Sequence, residues 1–196
     1  MNFSTTAVIL IGFQNDYFSE HGVLHDVIES SATDVLNHTV ALLDTLVDSP
    51  VTLISTPIHF TADYSELLEP IGILKVIQDL GAFKKDTLGA ATVNEITQYG
   101  ERIITVEGKR GLNAFHSTCL DEVLQSNGIT DVVLVGVATS ICIDSTARSA
   151  FERGYKVYVL SDCTAGRTQY EQDFYCNEVF PLYATVLTSQ QLVNSR

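Results

Sequence analysis

Asp131 to Val137 (DVVLVGV) decides the fold class. Its seven residues are almost all apolar and mostly β-branched, with no polar alternation, which predicts a strand buried on both faces, as in a parallel sheet. A short turn follows at Ala138, Thr139 and Ser140, and then a stretch with helical spacing. Between Ser140 and Arg153, residues Ile141, Ala147, Ala150 and Phe151 share a face, and Gly154 supplies a stop. The same strand-like composition recurs at Thr6 to Phe13, Val51 to Thr56, Arg102 to Val106, Lys156 to Leu160 and Tyr183 to Leu187. Helical patterns lie between them. Ala32 to Val47 aligns Val35, Leu36, Val40, Leu43 and Val47, and Thr118 to Gln125 groups Leu120, Val123 and Leu124. This alternation predicts an α/β fold, a three-layer αβα sandwich with a mostly parallel central sheet.

The chain has 196 residues, 45% hydrophobic and 18% charged, which suits one globular domain spanning residues 1–196. No apolar run approaches the roughly 20 residues of a membrane span. The start of the chain has no basic region ahead of its apolar run, so no signal peptide is expected. The net charge of −13 disfavours nucleic acid and anionic lipid surfaces as partners. Cys119, Cys142, Cys163 and Cys176 form no C-x-x-C pair, and the expectation is four reduced thiols in the cytoplasm. Neither a G-x-G-x-x-G nor a phosphate-binding G-x-x-x-x-G-K-[ST] occurs, which argues against a nucleotide site.

Ligands of open parallel sheets bind beyond the carboxyl ends of the strands. The polar residues falling there are Gln14, Asn15 and Asp16; His59 and Asp63; Glu107, Lys109 and Arg110; Thr139, Ser140 and Cys142; and Asp162 with Cys163. Cys142 stands out. With Thr139 or Ser140 as N-cap it would sit in the first turn of a helix, where dipole and free amides favour a thiolate. The same amides can hold a developing oxyanion. Against this stands the commoner fate of a lone cysteine, a small buried hydrophobe. Lys109, beyond a neighbouring strand, is placed to stabilise a thiolate and polarise a carbonyl, although most lysines are solvated surface groups.

Several segments together match a known family. Gly136 to Ile143 (GVATSICI), with Thr146, Ala147 and Ala150, resembles the nucleophile segment of the isochorismatase-like cysteine hydrolases. Lys109 with Asn113, Ala114, Phe115 and Thr118 resembles their lysine segment, and Phe13 to Phe18 (FQNDYF) their first segment. Gly154 and Tyr155, followed by Val159, Asp162 and Ala165, resemble the strand after the nucleophile helix. The resemblance implies a Cys–Lys–Asp triad and acyl transfer from amide-type substrates through a thioester. It also implies a cis peptide between Val137 and Ala138, an oxyanion hole from the Ala138 and Cys142 amides, and a homo-oligomer (dimer or tetramer).

One position departs from that pattern. The family's catalytic Asp lies two residues before the Gln, where this chain has Gly12. Losing a positioned acid–base group costs about 10²–10⁴-fold in rate. Asp16 or Glu107 is a candidate substitute, Lys109 alone is another, and a catalytically weak small-molecule binder is the third reading. Asp16 lies about 13 Å further along an extended chain, so a bend is required. Glu107 shares strand parity with Lys109. Restoring a carboxylate with Gly12→Asp is expected to separate a lapsed enzyme from an adapted one. No cofactor is expected, and no metal, since His59 and Asp63 alone do not make the Asp-and-several-His site of nicotinamidases in this family. A small molecule is the expected partner, with Gln14, Phe18, His59, Arg110 and Phe115 as candidate pocket residues. The retained Cys and lost Asp favour acyl chemistry over vinyl-ether cleavage. Cys119, Cys163 and Cys176 are read as packing residues.

Overall fold

The computed structural model describes residues 1–195, apart from the side chains of residues 29 and 30. A six-stranded, all-parallel sheet runs through it in the order β3-β2-β1-β4-β5-β6. The strands are β1 (Thr6–Ile11), β2 (Thr52–Thr56), β3 (Ile103–Thr105), β4 (Asp131–Val137), β5 (Lys156–Ala165) and β6 (Thr185–Leu187). The helices are α1 (Asn15–Phe18), α2 (Glu29–Leu46), α3 (Gly72–Leu80), α4 (Asn94–Thr97), α5 (Leu120–Ser126), α6 (Asp144–Glu152), α7 (Gln169–Phe174) and α8 (Ser189–Asn194). Every residue of β1 and β4, the two central strands, is buried. That explains their unbroken apolar sequence: both faces are covered.

Period-two alternation sorts the two covers. Val8 and Leu10 of β1 face one core, with Val35, Leu43 and Leu46 of α2 and Leu192 of α8. Ala7, Ile9 and Ile11 face the other, with Leu120 and Leu124 of α5 and Ala147 and Ala150 of α6. These are the three layers that the alternation of strand and helix patterns predicts.

The departures are local. β5 extends to Ala165, beyond the five residues its apolar run suggested, through a register irregularity between Leu134 and Gly136 of β4. β6 is three residues, because Phe180–Leu182 forms a 3-10 turn and the chain only then becomes extended. The irregular segment 59–88 holds α3 and is sewn to the sheet edge. Phe60 N–H donates to Phe83 O at 2.8 Å, and Lys85 N–H donates to Phe60 O at 2.8 Å. No helix among the described residues is long and apolar enough to cross a membrane.

Candidate active site

The carboxyl ends of β1, β3 and β4 converge at one edge of the sheet. A bridge between Ile58 and Lys109 continues the parallel pairing past β2 and β3. Gly108, at φ 101°, takes a backbone conformation that glycine adopts without strain and reverses the chain's inside–outside order. Glu107 therefore points outward with 64% of its side chain exposed, while Lys109 is fully buried. Parity, which would put the two side chains together, fails at this glycine.

Lys109 Nζ donates to Gly111 O at 2.7 Å and to Cys142 Sγ at 3.6 Å. Burial holds this ammonium below the usual lysine pKa, against attraction and a hydrogen bond from Cys142 that favour the charged form. The lysine segment is fixed onto α6 by Ala114 N–H, which donates to Thr146 Oγ1 at 3.0 Å, and is braced internally by Thr118 Oγ1, which donates to Ala114 O at 2.6 Å.

Cys142 lies in a π-helical turn, Thr139–Ile143, that leads into α6. It is 3% exposed. The peptide between Val137 and Ala138 is cis. The cap differs from the sequence expectation. Ala138 holds the N-cap position without a side-chain bond. Thr139 Oγ1 donates instead to Gln172 Oε1 at 2.6 Å, and Ser140 Oγ donates to Glu171. Both hydroxyls are drawn to α7, which clamps the turn that carries Cys142.

The other expected residues separate into two groups. His59 and Arg110 line a cavity of about 630 Å³, together with Phe60, Lys85, Ala90 and Glu107. His59 Nδ1 lies 2.9 Å from Glu107 Oε2, and Arg110 pairs with Glu66 at 3.3 Å. The cavity reaches Gly108 and Arg110, the neighbours of Lys109, but Lys109 and Cys142 do not line it. The remaining pocket candidates pack elsewhere. Gln14 is a buried clamp: Nε2 donates to Ile58 O at 2.8 Å and Ala90 O at 2.7 Å, and Oε1 accepts from Ile58 N–H at 2.8 Å. Phe18 stacks on Phe13 at 5.0 Å. Phe115 stacks on Tyr155 at 6.2 Å with the Arg153 guanidinium 4.7 Å from its ring, as part of a core.

The acid question is answered by position. Asp16 Oδ2 accepts from Phe83 N–H at 2.7 Å, which makes it a staple for the segment before β3. Burial raises its pKa, with the Phe83 and Val23 amides opposing. Asp63 accepts from Thr61 Oγ1 at 2.8 Å in an exposed turn of its own. Among the described residues no three His, Cys, Asp or Glu side chains come together as a metal site would require. Gly12 has φ 77°, and a Cβ there would lie 2.9 Å from Val137 O and 3.2 Å from Val137 Cγ2. The backbone at this position is shaped for glycine. Sequence reasoning passed over Tyr17, which is 3% exposed, lies against this position and interacts electrostatically with Cys142. Its place directly after Asp16 in the first segment was the available signal.

The structure is thus a three-layer αβα architecture with a buried cysteine–lysine pair at the carboxyl ends of its parallel strands. A family model described as the isochorismatase domain matches residues 6–191, and the chain belongs to the isochorismatase family of hydrolases. It is 27% identical over 199 residues to the uncharacterised isochorismatase family protein YecD of Escherichia coli O157:H7, covering 100% of this chain and 98% of that one. It is 29% identical over 178 residues to ureidoacrylate amidohydrolase RutB of Agrobacterium fabrum, covering 82% of this chain and 76% of that one. The structure of a cysteine hydrolase from Pseudomonas syringae pv. phaseolicola 1448A matches with a TM-score of 0.87 at 20% identity, over 99% of this chain and 93% of that one, a likeness of fold.

Proposed function

We propose that this chain is a cysteine-dependent hydrolase of a small amide, imide or ureide, acting through a thioester on Cys142. One observation carries the reading. Lys109 is fully buried, and among the described residues its nitrogen reaches a backbone carbonyl and the Cys142 sulfur and no carboxylate. Burying an ammonium without a carboxylate is costly, and a thiolate partner offsets that cost. An ammonium–thiolate pair is the resting nucleophile in this scheme, so no separate base is needed for attack. The amides of Ala138 and Cys142 would receive the oxyanion. The ureide-cleaving activity named for RutB supports the substrate class.

The cavity beside His59 and Arg110 suits a small substrate. The cavity reaches Gly108 and Arg110, which flank Lys109, the residue bonded to the sulfur. In this reading the protein works as a homo-oligomer in the cytoplasm, without metal or cofactor; light scattering tests the first point.

The test is ammonia or amine release from a panel of primary amides, ureido acids and cyclic imides, with Cys142→Ala alongside. Cys142→Ala is expected to reduce the rate by 10³-fold or more. Equal rates from the two proteins would sink the assignment. Gly12 favours a second reading, a binder without turnover, which a thermal shift with the same panel and no product release would support.

A further inference from the structure

Hydrolysis through Cys142 moves a proton twice: onto the nitrogen as it leaves, and off the water that later attacks the thioester. The carboxylates around the turn and the strand ends are engaged elsewhere. Gly12 offers none. Asp16 accepts from the Phe83 amide at 2.7 Å, and Glu107 faces solvent beside His59. Asp144, just past Cys142, is held by Arg148 at 3.0 Å and by the Tyr183 hydroxyl. Glu171 is held by Arg167 at 2.8 Å and by Ser140. Among the described residues, the titratable group bonded to the Cys142 sulfur is Lys109, with Nζ 3.6 Å away. An ammonium has three N–H donors. One points at that sulfur and one at Gly111 O, 2.7 Å away, and the third has no protein acceptor among the described residues.

We propose that Lys109 carries this proton, donating it to the leaving nitrogen and regaining one from the attacking water, in place of the carboxylate that position 12 lacks. The proposal rests on the cysteine-hydrolase reading above. The driving force is electrostatic. Lys109 is fully buried, and among the described residues its counter-charge is the Cys142 sulfur and no carboxylate. Bonding that sulfur to carbon removes the counter-charge, and an unpaired buried ammonium is a costly species. Burial already holds the ammonium's pKa below the usual lysine value, and Cys142 is what opposes the fall. Lys109 therefore turns acidic at the step where the nitrogen needs its proton. That nitrogen is then two bonds from the sulfur to which Nζ donates. The sulfur of Cys142 bonds to the substrate carbon, and the C–O π electrons move onto oxygen. When that oxyanion collapses, the C–N bond breaks, its electron pair takes a proton from Lys109 Nζ, and the amine leaves. A thioester and a neutral lysine amine remain, so no unpaired charge is buried. The lysine amine then takes a proton from water as the water oxygen attacks the thioester carbon. The C–S bond breaks, releasing the carboxylic acid and restoring the ammonium and the thiolate. The sum is amide plus water giving acid plus amine.

The experiment compares Lys109→Arg with the wild type on the best amide of the panel and on the p-nitrophenyl ester of the same acid, whose phenolate leaves without a proton. A guanidinium keeps the positive charge and does not give up its protons, so it can serve the thiolate but not the leaving nitrogen. The melting temperature of the variant is measured first. The quantity read is the ratio of amide to ester acylation rates, which is expected to fall by about 10²-fold or more in Lys109→Arg. A smaller fall overturns the proposal, because charge beside the sulfur would then suffice. If Lys109→Arg does not fold, anilides of the same acid decide the matter on the wild type. Acylation rates that stay within about tenfold across anilines of differing basicity support departure with a donated proton, and a steeper dependence overturns it. If Cys142→Ala matches the wild type on the amide, or the wild type turns over no amide, the underlying cysteine reading fails instead. That failure is recognisable without Lys109→Arg and removes the proton carrier with it.

Discussion

Lys109 Nζ stands 3.6 Å from Cys142 Sγ, and no part of Lys109 reaches solvent. The pair joins the ends of two non-adjacent strands, β3 and β4, across the ends of β2 and β1. Burying this cation costs stability, and replacing it exposes that cost.

Lys109→Met is expected to keep the fold, to gain about 1–3 kcal/mol of stability at neutral pH, and to lose Cys142-dependent activity. The folded pKa of Lys109 lies below its ordinary 10.5, so between the two values the unfolded chain binds more protons. Wild-type stability from this group therefore rises with pH across that window. The variant's advantage should shrink as pH rises through that window toward 10.5, as read by urea unfolding at several pH values. A variant less stable than wild type at pH 7 contradicts this.

Gly12→Asp is expected to fail as a repair. Its φ of 77° and the 2.9 Å approach to Val137 O impose strain of about 1–3 kcal/mol on any side chain. The variant should melt several degrees lower, as should Gly12→Ala, and neither should hydrolyse faster. A rise in rate with Gly12→Asp alone would show that β4 yields readily.

Asp16→Ala leaves the buried Phe83 amide without its acceptor, at about 1–3 kcal/mol. Asp16→Asn keeps an acceptor and removes the charge. Because burial raises the Asp16 pKa above 3.8, the folded protein binds the extra proton above that pH, and stability falls as pH rises through the window. Asp16→Asn should therefore gain on the wild type from pH 4 upward and then level off. Chemical denaturation across pH 3.5 to 7 checks it.

The thiols should differ in reactivity. Cys163 has no exposure, and burial pushes its thiol up to about 12; Cys176 is pushed up to about 11 by the same cause. Neither should take iodoacetamide at pH 8 in the native protein, whereas exposed Cys119 should. Peptide mass spectrometry after a timed pulse gives the answer, and labelling of Cys163 would contradict it.

The sheet was legible because β1 and β4 need uninterrupted apolar residues, and the helices because they bury one stripe. Cys142 and Lys109 were legible because strand ends can be located from such runs. Side-chain direction beyond those ends was not. One positive φ at Gly108 sent Glu107 outward, and the short helix α1 turned Asp16 toward Phe83 and Tyr17 toward Gly12. Gln14, Phe18 and Phe115 read as pocket residues because polarity or aromaticity near a strand end does not reveal what lies opposite. The caps expected at Thr139 and Ser140 were lost to α7, a contact some thirty residues away in sequence.

The closeness of Val137 O to position 12 also bears on descent. A lineage whose backbone has settled around a missing side chain meets a one-way gate: reinstating an acid there by a single codon change lowers fitness before it can raise it. Room for a side chain at position 12 would have to begin in β4, with Val137 drawing back.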